Sequence, residues 1–402
     1  MFVLVRRVLS ISAALSFVGC NSGGTAGVPD AAGTADLGRP QWMAQGLARP
    51  ACPQVSGTPT CLALIESNGS AGRHRGGWQP VDFQTRYHLD SSSGGAGTIV
   101  AIVDAYDNPH AASDLATYRA AFGLGKAPFK KFNQYGEQRD YPRPGPGWGA
   151  EIDLDAEMVS AVCPKCTIFV VEASNAIGSD LQTAEAEAVR LGAHIVTNSW
   201  TCYNALTCVK WSDFDAPGVV YVAAAGDLGY NENGAPEGLA SVVSVGGTVL
   251  SKNGTTYSEQ VWGDSGGGCS ANGEKSGGAP KPTWQTDPDC KFRTDTDVSA
   301  VAWGVAEYDT FGYKGWFTVG GTSIAAPLVA GIYGLAGNAA NRDAGRKFWN
   351  EHPQQRAKNL NEITLGSDGS CKGRYLCQAG TEQFGWYSGP AGWGTPLGTG
   401  AF

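Results

Sequence analysis

Four side chains in this sequence have the types and surroundings for acid–base and nucleophilic chemistry: Ser323, Glu151, Asp155 and Asp227. Ser323 lies in Gly320-Gly321-Thr322-Ser323-Ile324-Ala325-Ala326-Pro327. Trp316 to Val319 before it predicts a buried strand, and the small apolar run Leu328 to Leu335 after it predicts a helix. The serine is therefore expected where a strand turns into a helix, with the two glycines permitting a sharp turn. A helix start directs free N–H groups and the positive end of its dipole at whatever lies beside the serine. An unassisted hydroxyl is a weak nucleophile, so the reading requires a base and a place for an oxyanion. The competing reading is that Thr322 or Ser323 caps a helix and the small residues only pack it.

The base is sought in Glu151 to Val162. Wound as a helix, this stretch carries two acidic pairs at i, i+4 spacing, Glu151/Asp155 and Asp153/Glu157. The first pair continues into Met158, Val159 and Val162 and is expected to face inward. The second continues into Ser160 and Pro164 and is expected to face solvent. Two inward carboxyls are costly unless used. They cannot both ionise easily, so one holds a proton or they share it, which suits a base working in acid. A solvated acidic helix is the plainer alternative. Asp227 follows the strand-like Val222 to Ala225, in a turn flanked by Gly226 and Gly229. Gly-Asp turns are common. A carboxyl there helps an oxyanion only when protonated, as a donor.

Alternating elements must hold these groups. Gly77 to Leu89 predicts a short helix, and Gly97 to Asp104 an apolar strand buried on both faces. Asp114 to Phe122 follows as a helix and Cys166 to Val171 as a strand. A helix capped by Asp180 runs to Leu191. His194–Asn198, Val219–Ala224 and Ser241–Val245 are further strands. The alternation implies an α/β fold, a doubly wound, mostly parallel sheet flanked by helices in a single domain over residues 77–402. Ligands of such sheets bind beyond the carboxyl ends of the strands, where Asp104, Asn198 and Asp227 fall.

Taken together, the serine octet and the spaced acids resemble the sedolisins, the serine-carboxyl peptidases of the subtilisin-like clan. Further matches are Val103-Asp104-Ala105-Tyr106, Asn198-Ser199-Trp200 and Asp297-Val298-Ser299-Ala300, and the resemblance runs from about Trp78 to Phe402. It implies a subtilisin-like catalytic domain with Ser323 as nucleophile, Glu151 as its base, Asp155 coupled to Glu151 and Asp227 at the oxyanion site. It also implies protein or peptide substrates and no cofactor for the chemistry. The subtilisins proper fit less well. Their His-Gly-Thr-His segment is missing, and Asp227 stands where they place an oxyanion Asn. Asp104 stands where they keep an acid and is expected here as a supporting carboxylate or a strand cap. Three departures stand out. The stretch between Cys20 and Gly77 is too short for the family's large prodomain. The family's calcium loop is degraded, with Glu362 and Ser388 at its acidic positions and Phe384 and Trp386 in place of glycines, so no calcium is expected. Ala225 and Leu228 replace residues that are often Ser.

Composition narrows the setting. Charged residues make up only 16% with a formal net charge of -8, which argues against nucleic acid as a partner and suits a secreted protein in mild acid. Arg6-Arg7 and the apolar Val8 to Val18 read as a signal peptide over residues 1–20, too short to span a bilayer. It ends in Ser16-Phe17-Val18-Gly19-Cys20, which resembles a lipobox with Cys20 as the lipidated residue. The chain is expected to be exported, either anchored to a bacterial membrane through that lipid or secreted, and monomeric. Residues 21–76, rich in Gly, Ala, Pro, Ser and Thr, read as an irregular tether. Of eleven cysteines, setting Cys20 aside leaves ten in local couples: 52/61, 163/166, 202/208, 269/290 and 371/377. Five short-loop disulfides are the simplest pairing, with a redox or zinc site as the alternative for Cys163 and Cys166. The function expected is an acid-active endopeptidase. A catalytically silent lipoprotein on the same fold and a tripeptidyl-peptidase-like exopeptidase are the alternatives.

Overall fold

The stretch expected to be an irregular tether is built into the fold from Pro40 onward. The computed structural model describes residues 40–402 apart from 56, 68–75, 204–207, 231–233, 271–279, 338–343 and 372–373. The expected signal peptide and Cys20 lie outside the described residues. The chain enters through α1 (Gln41–Ala44), β1 (Ala48–Pro50), β2 (Thr60–Cys61) and β3 (Leu64–Glu66). The apolar run Leu62 to Ile65 is buried, and Cys61 is tied to Cys52. The Gly- and Pro-rich composition of residues 21–76 hides this short ordered piece.

A short helix, α2 (Pro80–Arg86), precedes the main sheet, with Pro80 at its first turn. The strands are β4 (Ile99–Ala105), β5 (Phe129–Asn133), β6 (Thr167–Ala173), β7 (Ile195–Asn198), β9 (Val220–Ala224), β10 (Val242–Asn253) and β11 (Thr256–Val261). β8 (Trp200–Thr201) follows β7 and pairs antiparallel with β2. The order is β11-β10-β9-β7-β4-β6-β5, parallel except for the β10–β11 hairpin. After β12 (Gly268–Cys269) and β13 (Thr294–Asp295), β14 (Val298–Val301) adds to β10 in parallel. A second, antiparallel sheet runs β1-β3-β16-β15, with β15 at Trp303–Asp309 and β16 at Gly315–Gly320.

Helices cover both faces, as near-continuous apolar strands require. α5 (Gly178–Arg190) packs Leu181, Ala184 and Ala188 on one face with Val103, Val171 and Val196. Ile177 precedes its first residue, so Asp180 sits in the first turn rather than at the cap. α4 (Pro146–Val162) and α6 (Thr322–Ala336) fill the other face, where Met158, Val159, Ile324 and Leu328 join Val100, Ile102 and Val222. α3 (Ala111–Phe122) and β15 pack on the far side of α4. α4 is therefore buried all round. Asp153 and Glu157, expected toward solvent, are as inaccessible as Glu151 and Asp155. All five expected disulfides form, Cys163–Cys166 included. No described helix is long and apolar enough to cross a membrane.

Candidate active site

Ser323 stands in the first turn of α6, just after β16. Gly321 precedes the helix at φ +114, where a Cβ would lie 2.3 Å from the carbonyl oxygen of Leu62 and 2.9 Å from Asp227 Oδ2. Only glycine fits that turn. Neither hydroxyl caps α6. Thr322 donates instead from N and Oγ1 to Asp227 Oδ1, each at 2.8 Å, and the Ser323 side chain is directed at Glu151. The capping alternative is thus not realised. Pro327 lies one helical turn on and has no N–H to offer the Ser323 carbonyl. That carbonyl lies 3.4 Å from Ser199 Oγ.

Glu151 and Asp155 lie one turn apart on α4, which packs against α6. Pro146 opens that helix and Pro164 lies just past its end. Glu151 Oε2 accepts from the backbone N–H groups of Leu62 at 2.9 Å and Ala63 at 2.7 Å. Burial pushes its carboxyl well up, as does the charge of Asp104, while the Ser323 side chain and the Ala63 N–H act the other way. Asp155 Oδ1 accepts from Ser199 Oγ at 2.6 Å. Its carboxyl is also held well up, by burial and then by Asp104 and Glu151. Asp227 follows β9 and Gly226. Burial pushes it up to about 8 against the pull of the Thr322 N–H and hydroxyl. Its Oδ2 carries no hydrogen bond. Asp104, at the end of β4, has no hydrogen bond on either oxygen, and burial pushes it to about 8. The four expected residues therefore converge on the first turn of α6, with Asp104 behind them. The site brings a serine hydroxyl, two buried carboxyls one helical turn apart and a separate buried carboxyl together, and burial raises all three carboxyls.

A subtilase family model matches residues 143–371, which run from the turn before α4 through the serine. The chain belongs to the subtilase family. This subtilase is of the sedolisin type. It is 27% identical to kumamolisin from Bacillus sp. (strain MN-32) over 355 residues, 80% of this chain and 62% of kumamolisin. It is 25% identical to sedolisin from Pseudomonas sp. (strain 101) over 376 residues, 79% of this chain and 60% of sedolisin. The subtilase chain thus spans only 60–62% of the length of these two relatives. The solved structure of Pseudomonas sedolisin, complexed with two molecules of pseudo-iodotyrostatin, superposes with a TM-score of 0.67 at 21% identity. That superposition covers 81% of this chain and 96% of that one, and it bears out the subtilisin-like fold.

Two contributors to the site escaped the sequence reasoning. The N–H groups of Leu62 and Ala63 are backbone, which no residue type announces. The one signal was an apolar run beside Cys61 in an otherwise small and polar stretch. Ser199 was part of a matched motif, but its hydrogen bond to Asp155 beside the Ser323 carbonyl needs the fold. As for metals, the degraded loop places Ser388 in a buried turn, its N–H given to the Gly392 carbonyl at 3.1 Å. Asp114, Asp153 and Asp309 offer carboxylate oxygens within 4.8 Å of one another, on the far side of α4. Burial first, and then neighbouring carboxylates, push Asp153 and Asp309 up.

Proposed function

We propose that this subtilase is an exported serine-carboxyl endopeptidase that hydrolyses peptide bonds in acid. Ser323 is the nucleophile, Glu151 its base, Asp155 the proton-sharing partner of Glu151, and Asp227 the oxyanion donor. The observation that carries the reading is the division of labour among the carboxyls. Burial and then the charge of Asp104 raise both Glu151 and Asp155, and Glu151 raises Asp155 further, so a proton held between them leaves one charge to take up the Ser323 proton. Asp227 spends Oδ1 on Thr322 and keeps Oδ2 free beside Gly321. With its carboxyl at about 8, Oδ2 carries a proton in acid and donates to the oxyanion. Asp104 strengthens proton sharing by raising both members of the pair.

In this reading Ser323 Oγ adds to the substrate carbonyl carbon as its proton passes to Glu151. The tetrahedral intermediate puts its charge at Asp227 and the start of α6. Glu151 then returns the proton to the leaving amine. No metal or cofactor enters the chemistry, and the calcium loop holds no ion. The substrates are proteins or peptides, nucleic acid is not a partner, and the protein acts as an exported monomer, lipid-anchored through Cys20 or released. The test is incubation of purified protein with a denatured protein substrate between pH 3 and 7, alongside Ser323→Ala. Wild type should digest it best in the acid part of that range and the variant not at all. A wild type inert throughout that range would leave only a silent protein on a peptidase fold.

A further inference from the structure

The outer side of α4 meets α3 and β15 in two rungs of side chains. Asp114 and Tyr118 lie one turn apart on α3, and Asp153 and Glu157 lie one turn apart on α4. Glu307 and Asp309 are two residues apart on β15 and so share a face. The first rung is Asp114, Asp153 and Asp309, whose oxygens fall within 4.8 Å of one another. The second is Tyr118, Glu157 and Glu307. Burial, and then the charges of Glu157 and Glu307, push the Tyr118 hydroxyl well up. Burial also raises Glu157, with the charges of Glu307, Asp153 and Asp114 adding to it, so the two rungs act on each other. Asp114 is 2% exposed and the other five side chains are fully buried.

The protein satisfies this group only in part. Thr310 donates to Asp114 from N at 2.8 Å and from Oγ1 at 2.9 Å. Asp153 Oδ2 accepts from the Asn108 amide at 2.7 Å, Glu157 Oε2 from the Tyr308 N–H at 3.2 Å and Asp309 Oδ1 from the Gly312 N–H at 2.9 Å. Asp153 Oδ1, Glu157 Oε1, Asp309 Oδ2, both Glu307 oxygens and the Tyr118 hydroxyl have no hydrogen bond. Among the described residues no ion pair reaches any of the five carboxyls. Lys131, whose charge acts on Asp153, is held by Asp107 and Glu172. Buried carboxylates are paired or hold metals, and a buried hydroxyl takes a partner. The phenol is an observation separate from the acids, and its unbonded hydroxyl suits a water on a bound ion.

We propose that this group is a calcium site, with Asp114, Asp153 and Asp309 as direct ligands and Tyr118, Glu157 and Glu307 around the waters of the ion. Every donor is oxygen, which selects a hard cation over zinc or copper. Oxygens on opposite sides of a calcium ion lie up to about 5 Å apart, so the first rung admits one ion. Magnesium keeps several waters and uses one or two carboxylates, fewer than this rung supplies. None of these residues belongs to the loop of Glu362 and Ser388. The ion takes no part in the chemistry. It ties α3 and β15 to the outer side of α4, the helix whose inner side carries Glu151 and Asp155.

The experiment strips the purified full chain with EGTA, passes it into calcium-free buffer at pH 7.5 and titrates it with calcium chloride by calorimetry and thermal melting. Protons compete with metals for carboxylates, which sets that pH. Wild type should take up one calcium per chain and, at calcium 100 times its Kd, melt about 3 °C or more higher. Asp153→Asn and Asp309→Asn should each weaken binding at least tenfold and lose that rise. Both should be folded by circular dichroism without calcium, where Asp153→Asn should melt no lower than wild type, and either one suffices if the other fails to fold. Glu362→Gln should bind as wild type does. A wild type that takes up no calcium overturns the proposal and leaves the peptidase reading untouched. Uptake that Glu362→Gln abolishes and the aspartate variants keep assigns the ion to the C-terminal loop and refutes it. An equal rise with magnesium refutes the choice of ion.

Discussion

The two sides of α4 carry the same sequence device and meet different surroundings. Glu151/Asp155 and Asp153/Glu157 are each an acidic pair one turn apart, and all four side chains are buried. All four carboxyls are pushed well above their ordinary range, with burial the first cause in each case. The first pair faces α6, where the Ser323 side chain meets Glu151 and Ser199 Oγ donates to Asp155. The second faces α3 and β15, where Asp153 takes the Asn108 amide at 2.7 Å and Glu157 the Tyr308 N–H at 3.2 Å. Its other neighbours are the carboxyls of Asp309, Asp114 and Glu307. A perturbed carboxyl pair is therefore no sign of catalysis in itself. What distinguishes the first pair is a nucleophile within reach and a separate donor for the charge that develops.

The largest expected effects break this comparison outright. Ser323→Ala, Glu151→Gln and Asp155→Asn should each lower kcat/KM on a protein substrate by about 10⁴-fold or more, because the members of such a unit act together. Asp153→Asn and Glu157→Gln should leave kcat/KM within about tenfold of wild type, a barrier change under about 1.4 kcal/mol. Circular dichroism should show all five variants folded. Equal losses on both sides of α4 would mean that the helix as a whole, rather than one face, supports activity.

How much of this was legible beforehand follows the same division. Glu151 and Asp155 could be placed on one helical face by spacing, and Ser323 at a strand-to-helix turn by its glycines. Pairing them needed the match of motif order, since no spacing rule joins residues 155 and 323. Solvent exposure of Asp153 and Glu157 was the wrong expectation. The periodicity of a helix predicts one buried stripe, and α4 instead lies between α6 and the β15 sheet, a tertiary fact. The main parallel sheet followed from the apolar runs. The second sheet did not, because β1 and β3 are three residues each, inside a stretch whose composition reads as linker.

The next effect is on pH. Asp227 donates only while protonated, so activity should fall as pH rises toward its value of about 8. Against protein the profile should be bell-shaped with its maximum on the acid side. Asp227→Asn supplies a donor that does not titrate. Its activity should be lower than wild type at the acid maximum and should fall less steeply on the alkaline limb. An alkaline optimum in wild type, or an unchanged alkaline limb in the variant, would remove Asp227 from the oxyanion role.

A smaller effect concerns stability and touches both sides of α4. Carboxyls raised in the folded state bind protons more tightly there than in the unfolded chain. Their contribution is full below the unfolded value near 4 and is lost as pH rises through the folded one. Glu66 is raised to about 7, Asp104 and Asp295 to about 8 and Glu172 to about 9, mainly by burial. The melting temperature should thus be highest in acid and decline between about pH 4 and 8. Asp153→Asn removes one such group while keeping an acceptor for Asn108. It should raise the melting temperature at pH 7 and hardly move it at pH 3, since every tenfold gain in proton affinity on folding is worth about 1.4 kcal/mol. A fall at pH 7 would show that the Asp153 charge is used, which leads to the question of a cation.

The smallest expected effect is that of a chelator. The family-type loop offers Glu362 as its one acidic side chain, with Ser388 buried in a turn and Trp386 beside it. Calcium takes 6–8 oxygens, so that loop is a poor site. Asp114, Asp153 and Asp309 are grouped closely enough to share an ion. In acid, however, the raised Asp153 and Asp309 hold protons that a metal would first have to displace. Stripping with EGTA near pH 8, where it chelates, followed by transfer to pH 4 should therefore shift the melting temperature by less than about 2 °C, under about 1 kcal/mol. A large fall restored by calcium would refute this, and repeating it in two variants locates the ion. Loss of the EGTA effect in Asp153→Asn would place it on the outer side of α4. Loss in Glu362→Gln would place it in the loop. In the first case the two acidic pairs of α4 would differ in kind, one sharing protons with a nucleophile and the other holding a metal.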